Sequence, residues 1–385
     1  MSNTNEFFKE KKRWSIYKDK ILGLYLKPYF QKIMRNPYKT IYIDGFAGKG
    51  KFEDGSEGSP LIVNKIIKEV EESSRTKEKM IFPIFIEKKY SSELENALQD
   101  KTCKVFGCDY KSKSNEILNK AKSFNVFMYV DPFGIKDLDF SIFEKLSQNK
   151  NSVELLLNLN SFGFIREGCR LLNTTTDVEL EESAGKYDED KEINDINNMN
   201  RIANGEEWQE IILKKKTGVI NAKTAEEMFT ALYVEKLGEL FKYVFSISIR
   251  TGDDLVPKYQ MIFATNHIQG ALIMADNMIK CDIDMSSANK NGQQSFFDYD
   301  FTKNDIKKDI LSIVKKNNMI DAKQLCLELY RTGKLYLQSD IKNALKELSN
   351  SNLVLIDRRG KKTPTGKDYT GMDFIKFDIL IKDVK

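Results

Sequence analysis

The chain has 385 residues, of which 41% are apolar and 31% are charged, and its formal net charge is +4. This balance is typical of a globular protein with a sizeable core, and no apolar run approaches the ~20 residues that a membrane span requires. The small net charge neither demands nor excludes nucleic acid, so the distribution of charge along the chain is more informative.

The five cysteines contain no C-x-x-C pair, and His267 is the only histidine of the chain. We therefore predict no zinc site, and scattered free thiols are typical of a reducing cytoplasm. The N-terminal residues are too charged for a secretory signal. These features together predict a cytoplasmic protein.

Two predicted helices flank the first predicted strand. Residues 12–34 carry apolar positions at helical spacing and indicate one or two leading helices. The strand covers residues 41–43, and a helix follows it at Ser59, where a serine N-cap precedes a proline at the first helical position.

The segment that follows the first strand carries the strongest signal in the chain. The strand ends in Asp44, and glycines follow at 45, 48 and 50. This pattern predicts a tight loop that approaches a ligand, because glycine tolerates positive φ angles and has no Cβ to block the approach. The alternative is an ordinary turn without a ligand.

Four further short, mostly apolar runs each end near a polar residue. They are 81–86 before Glu87, 104–106 before Asp109, 126–130 before Asp131, and 153–159 before Asn160. Such runs, separated by segments of helix length, predict a parallel sheet that is covered on both faces. Since ligands bind at the carboxyl ends of parallel strands, we expect these polar residues and Asp44 to converge on one crevice.

The middle of the chain differs in composition. Residues 164–230 are polar and acid-rich from Glu179 to Asp195, which predicts a helical insertion or lid. Two strands, 243–250 and 259–265, have a short connection that suggests an antiparallel pair. A helix is expected from His267 to Met278.

Past residue 300 the pattern changes again. Three helices are predicted at 305–316, 322–330 and 339–349, followed by a strand at 353–357, a basic stretch, and a return strand at 374–379. This is the layout of a winged helix, in which the third helix enters the major groove. We therefore predict an α/β, Rossmann-like domain over residues 1–300 and a winged-helix domain over residues 301–385.

A sheet of this type with an acid after each early strand suits S-adenosylmethionine. Glu87 would accept from the ribose hydroxyls, because a carboxylate can take two donors, and Asp109 would accept from the adenine amine. The backbone of the first loop would lie against the methionine moiety. Its predicted contacts are Asp44, Gly45, Phe46, Ala47, Gly48 and Gly50. Surface acids without a ligand are the alternative for Glu87 and Asp109.

The residues Asp131, Pro132, Phe133 and Gly134 resemble the motif of amino-methyltransferases, an Asp or Asn, two prolines and an aromatic. By this resemblance Asp131 would orient or deprotonate the nucleophile, and Phe133 would stack on an extruded base. Methyl transfer depends mainly on such positioning. One proline is missing, so the substrate stays open, and a turn with Phe133 in the core is the alternative.

The chain as a whole resembles the three-Cys-motif partner (TcmP) family. The resemblance lies in residues 42–48, Gly55, 58–60, 129–134, 261–267 and Gly270, and it covers roughly residues 10–280. It implies a Rossmann-like methyltransferase fold, often with a winged-helix tail. It also implies a partner, a radical-SAM-type protein with a three-cysteine motif, but it supplies no substrate.

The predicted wing adds a nucleic-acid signal. Five cations occur within ten residues with no acid among them: Arg358, Arg359, Lys361, Lys362 and Lys367. Such cations would contact phosphates and give salt-dependent affinity. The third helix offers further groove contacts in Gln338, Lys342, Asn343 and Lys346. The alternative is a basic turn in a domain that binds protein.

Three functions are compatible with these features. The first is an S-adenosylmethionine-dependent methyltransferase that acts on nucleic acid, with DNA favoured. The second is a non-catalytic DNA-binding adaptor that presents substrate to the three-cysteine partner. A nucleotide or NAD enzyme is the third, and it is disfavoured because the loop has the order G-x-x-G-x-G and the helix begins only near Ser59.

Overall fold

The computed structural model describes residues 8–74, 78–172, 195–249, 259–289, 296–332, 334 and 336–384. The chain divides into two compact units, Met1–His267 and Ile268–Lys385. This division places the helix that begins at Ile268 with the second unit, whereas the sequence suggested a boundary at 300/301. The helix belongs there because Gln338 bonds to it, through Nε2 to the Leu272 carbonyl at 2.8 Å.

The described strands of the first unit form a seven-stranded sheet in the order β3-β2-β1-β4-β5-β7-β6. The strands are β1 (Thr40–Asp44), β2 (Ile81–Ile86), β3 (Lys104–Phe106), β4 (Asn125–Val130), β5 (Val153–Leu159), β6 (Tyr243–Ile249) and β7 (Tyr259–Thr265). Strands β1 to β5 are parallel, and β7 is antiparallel to both of its neighbours. The doubly wound order with one reversed strand defines a Rossmann-like fold of the methyltransferase type, and the predicted parallel sheet and antiparallel pair are confirmed.

Helices cover both faces of this sheet. They are α1 (Arg13–Ile33), α2 (Ser59–Ser73), α3 (Ser91–Leu98), α4 (Tyr110–Lys120), α5 (Phe140–Ser147), α6 (Ser161–Leu171), α7 (Ile196–Ala203), α8 (Trp208–Lys216) and α9 (Ala222–Leu240). Alternate strand residues point to opposite faces. Accordingly Ile41 and Ile43 join a mainly aliphatic core, while the Tyr42 ring stacks on Phe127 at 5.9 Å, on the side of α1.

The segment 164–230 was expected to be an insertion or a lid. Its described helices α7, α8 and α9 instead contribute Met199, Trp208 and Phe229 to the same core cluster as β4 and β5. They bury large apolar side chains there, so the described part of this segment belongs to the core of the unit. The acid-rich run lies outside the described residues except for Asp195, which caps α7.

The second unit contains four described helices and a three-stranded antiparallel sheet in the order β8-β10-β9. The elements are α10 (Ile268–Asn289), α11 (Phe296–Asn317), β8 (Met319–Asp321), α12 (Ala322–Arg331), α13 (Gln338–Asn350), β9 (Val354–Asp357) and β10 (Leu380–Asp383). The return strand was predicted at 374–379, but it begins at Leu380. Residues 374–377 form a turn instead, which the bond from Phe377 N to the Asp373 carbonyl closes at 2.9 Å. Strand β8 has only three residues and was not predicted.

Candidate functional site

The carboxyl ends of β1, β2 and β4 lie side by side. The strand register pairs Asp44 with Phe85 on one side and with Tyr129 on the other. The loop after β1 is bonded to both neighbours, because Gly45 N donates to the Tyr129 carbonyl at 2.9 Å and Ala47 N donates to the Ile86 carbonyl at 3.1 Å. The structure therefore brings this loop, Glu87 and the Asp131 segment together at one edge.

The glycines of the loop meet other protein groups at close range. Gly48 and Gly50 have φ angles of +65° and +77°, which favour glycine. A Cβ on Gly50 would lie 2.8 Å from a methyl group of Leu94, and one on Gly45 would lie 2.6 Å from the Tyr110 ring. Packing inside the protein thus accounts for the lack of a side chain at Gly45 and Gly50, whereas a Cβ on Gly48 would lie at ordinary contact distance, 3.5 Å, from the Phe8 ring.

Asp44 is fully buried and fastens the loop to the next helix. Its carboxylate accepts from Phe46 N at 3.1 Å and from Ser59 Oγ at 2.8 Å. Burial raises the pKa of this carboxyl group to about 7, against the lowering effect of these two bonds. The geometry gives Asp44 a structural task at the end of β1.

Glu87 joins the loops that follow β1 and β2. Its Oε2 accepts from Gly48 N at 2.8 Å, and its Oε1 accepts from Lys89 N at 2.8 Å and from Tyr90 N at 3.2 Å. A carboxylate offers about four acceptor positions. Three are engaged by backbone here, which leaves room for one further donor such as a single hydroxyl group, rather than the predicted two.

Asp109 is half-buried and caps α4, since its Oδ1 accepts from Ser112 N at 3.1 Å. The adjacent Tyr110 packs on Phe46 with a centroid separation of 4.7 Å, which keeps this helix start beside the first loop. Capping of α4 is sufficient to explain an acid at this position. The contact of Asp109 with adenine stays a prediction.

The Asp131 carboxylate is held by four donor contacts from three side chains. Lys18 Nζ lies 2.7 Å from both oxygens, Asn158 Nδ2 lies 2.7 Å from Oδ1, and Tyr129 Oη lies 3.1 Å from Oδ2. Each oxygen therefore accepts twice, and the four acceptor positions of the carboxylate are filled.

The rest of the motif separates into a buried and an exposed residue. Pro132 is buried, while the Phe133 side chain is 47% exposed. The alternative that placed Phe133 in the core is therefore wrong. Its ring meets Phe8 edge-on at a centroid distance of 6.4 Å, and its exposed surface can stack on a planar group.

Lys18, Asn158 and Phe8 belong to this edge but were not singled out from the sequence. A signal existed for the first two. Lys18 lies four residues before Leu22 in the apolar stripe of α1, and Asn158 is one of two polar residues in a mostly apolar run. A polar residue in such a position needs a buried partner, and for both of these residues the partner is Asp131.

Among the described residues, no group of three or more His, Cys, Asp or Glu side chains is arranged to hold a metal ion. Over the same ranges, no helix combines the length and the apolar character needed to cross a membrane.

The basic stretch of the second unit forms a hairpin, which we call the basic hairpin (residues 358–369). Thr363 N donates to the Lys367 carbonyl at 2.7 Å, and Tyr369 N donates to the Lys361 carbonyl at 2.9 Å. Arg359, Lys361, Lys362 and Lys367 are exposed. Lys362 is bonded to Asp368 across the hairpin.

Two predicted nucleic-acid contacts of this unit have internal partners. Arg358 is half-buried, and its Nε donates to the Gly371 carbonyl at 2.9 Å. Lys342 is also half-buried, with Nζ 4.9 Å from the centroid of the Phe374 ring. Arg358 therefore ties the start of the basic hairpin to the segment that follows it, and Lys342 packs on a ring of that same following segment.

The proposed groove helix, α13, presents only part of the predicted set. Gln338 is buried, with its N bonded to Asp276 at 2.8 Å and its Nε2 to the Leu272 carbonyl, so its prediction as a groove contact is wrong. Asn343 and Lys346 are exposed on the same helix.

No protein-family model matches the chain, and no curated protein matches it either. Among solved structures it is similar to one described as the crystal structure of the plantazolicin methyltransferase BpumL in complex with a monoazolic desmethylPZN analog and SAH. The identity is 8% and the TM-score is 0.28, over 65% of this chain and 85% of that chain. A similarity of this size says nothing about function, and the fold class rests on the order and direction of the strands.

Proposed function

We propose that the first unit is an S-adenosylmethionine-dependent methyltransferase. The observation that carries this proposal is the convergence of the glycine loop, Glu87 and the Asp131 segment at the carboxyl edge of a sheet of the methyltransferase type. The resemblance to the TcmP family, which includes the glycine loop and the Asp131 segment, supports it.

The residues at this edge fit the cofactor in their donor and acceptor chemistry. Glu87 retains one acceptor position for a ribose hydroxyl, and the backbone at Gly48 would lie against the methionine moiety. When bound, the cofactor supplies a methyl group on a sulfonium. Phe133 would hold a planar acceptor by stacking on it, and Asp131 keeps Asn158 and Lys18 in place at this edge.

The cofactor assignment is tested by calorimetry with S-adenosylmethionine. Glu87→Ala should weaken binding at least tenfold, since it removes a hydroxyl acceptor and releases three backbone donors of the surrounding loops. Glu93→Ala is the matched control, because this exposed acid lies on the adjacent α3. Equal affinity of parent and Glu87→Ala would contradict the assignment.

We further propose that the second unit is a winged helix that binds nucleic acid, with DNA favoured. Its helices α11, α12 and α13 accompany an antiparallel sheet, and its basic hairpin carries four exposed cations. Cations of this kind neutralise phosphates with little sequence preference.

The hairpin is tested by replacing Arg359, Lys361 and Lys367 together with glutamine. Arg358 is retained because it holds the hairpin. We expect duplex DNA binding to weaken and the slope of log affinity against log salt to fall by about 2 to 3, since each phosphate contact contributes about 0.9. Lys27, Lys65 and Lys120, exposed on the first unit, form the matched control set. An unchanged slope in the hairpin variant would place the contact elsewhere.

A second candidate function is a non-catalytic DNA-binding adaptor for a radical-SAM-type partner with a three-cysteine motif. The filled acceptor positions of Asp131 favour it, because no acceptor position of that carboxylate is left for a substrate amine. Calorimetry distinguishes the two functions. An adaptor with a vestigial crevice would bind the partner and DNA but would give no heat with S-adenosylmethionine.

A further inference from the structure

A short N-terminal segment crosses the glycine loop. We call residues 8–12 the N-terminal strap. Its Phe8 side chain is 4% exposed and lies among three aromatic rings, at centroid distances of 5.7 Å from Phe52, 5.3 Å from Tyr90 and 6.4 Å from Phe133. These rings belong to the segments that follow β1, β2 and β4, so Phe8 touches all three walls of the proposed cofactor crevice.

The strap is fastened to the loop by backbone and side-chain bonds. Glu53 N donates to the Phe8 carbonyl at 2.8 Å, and Lys11 N donates to Asp54 Oδ2 at 3.0 Å. Lys11 Nζ donates to the Glu57 carbonyl and forms an ion pair with Asp19, each at 2.5 Å. These bonds fix the backbone of Phe8 and the side chain of Lys11 against the loop that follows β1.

The groups that a cofactor must reach are covered in this arrangement. Ala47, Gly48, Gly50 and Glu87 are all buried. The atom nearest to a Cβ placed on Gly48 is Cε1 of Phe8, at 3.5 Å. A ligand that lies against the Gly48 backbone needs the space that this ring fills.

We propose that Phe8 is a competing occupant of the cofactor site, and that the cofactor enters when the strap lifts. The inference rests on the proposed function of the first unit. Lys49 Nζ lies 4.8 Å from the centroid of Phe8 and 4.7 Å from that of Tyr90, so a cation–π contact helps to hold the closed state.

The consequence is a measurable cost in affinity. When only the open state binds, the apparent dissociation constant equals the intrinsic one divided by the open fraction. Truncation of Phe8 to alanine removes the free energy of burying its ring from the closed state and leaves the open state unchanged. We expect the affinity for S-adenosylmethionine to rise about tenfold in Phe8→Ala, the scale set by burial of such a side chain.

The test is calorimetry with S-adenosylmethionine on the full chain, with stopped-flow measurement of the association rate. Phe8→Ala should bind more tightly and associate faster than the parent. Lys11→Met, which loosens the strap but keeps the ring, serves in its place if Phe8→Ala does not fold by circular dichroism. Tyr38→Ala is the control, because this tyrosine is 50% exposed and precedes β1 at the opposite end of the strand.

The outcomes separate this inference from the proposed function. A parent that binds the cofactor, with a strap variant that binds equally or less well, would overturn the competing role of Phe8 and leave the cofactor site standing. An absence of binding to the parent and to the strap variant alike would overturn both. Tighter and faster binding by the variant supports both.

Discussion

A Lys18→Met variant is expected to show a free energy of unfolding about 3 kcal/mol below that of the parent chain. The Lys18 side chain is only 8% exposed, and that of its partner Asp131 is 21% exposed. Removal of one member of such a pair leaves the other charge unpaired in a low-dielectric site, which costs about 3 to 5 kcal/mol for fully buried pairs. Methionine retains most of the length of the side chain, so urea unfolding reports mainly on the lost charge.

The matched control is Lys27→Met. Like Lys18, Lys27 lies on α1, and its Nζ is 2.8 Å from a carboxylate oxygen of Glu69. The side chains of Lys27 and Glu69 are 53% and 57% exposed, however. Exposed pairs contribute about 1 kcal/mol or less. A Lys18→Met variant no less stable than Lys27→Met would show that the Asp131 site is well hydrated.

A double variant separates charge from packing. In Lys18→Met with Asp131→Asn neither charge is left without its partner, so we expect a smaller loss than the sum of the two single losses. Strict additivity would mean that the two residues do not interact. Non-additivity of about 1 kcal/mol or more would establish that the Lys18–Asp131 pair stabilises the packing of α1 against the segment that follows β4.

Local patterns were sufficient to predict the sheet. The mostly apolar runs of β1, β2, β4 and β5 gave strands within a residue of their observed bounds, because a strand buried on both faces is largely apolar. The serine and proline at 59 and 60 likewise marked the start of α2. The polar residue at each strand end indicated the carboxyl edge, which the register then confirmed.

Long-range contacts could not be predicted in this way. Lys18 and Asp131 are 113 positions apart, and nothing in either local pattern links them. The loop glycines suggested a ligand, yet Gly45 and Gly50 pack against Tyr110 and Leu94. A pattern shows that a backbone is approached closely, but it does not show what approaches it.

The pH dependence of stability offers a test of a second buried acid, Glu154 on β5. It is 2% exposed and accepts from Tyr25 Oη at 2.6 Å and from Thr265 Oγ1 at 3.2 Å. Burial raises the pKa of this carboxyl group from 4.5 to about 7, against the opposing effect of these bonds.

The sign of the effect follows from proton binding. Between its unfolded and folded pKa values, Glu154 is protonated in the folded chain and ionised in the unfolded chain, so folding takes up a proton. The stability that this group contributes is fully present below pH 4.5 and is lost as the pH rises through about 7. Asp44, whose pKa is also raised to about 7, adds a fall in the same direction.

We therefore expect a Glu154→Gln variant to depend less on pH than the parent chain. From about pH 5.5 to about pH 8, the free energy of unfolding of the parent should fall by about 2 kcal/mol more than that of the variant. Glutamine keeps an acceptor oxygen for one of the two hydroxyl groups, presents its amide N–H to the oxygen of the other, and cannot ionise. Urea unfolding at the two pH values checks this, with Glu116→Gln as an exposed control. Parallel falls in parent and Glu154→Gln would mean that water reaches this carboxylate in the folded chain and that its ionisation does not oppose folding.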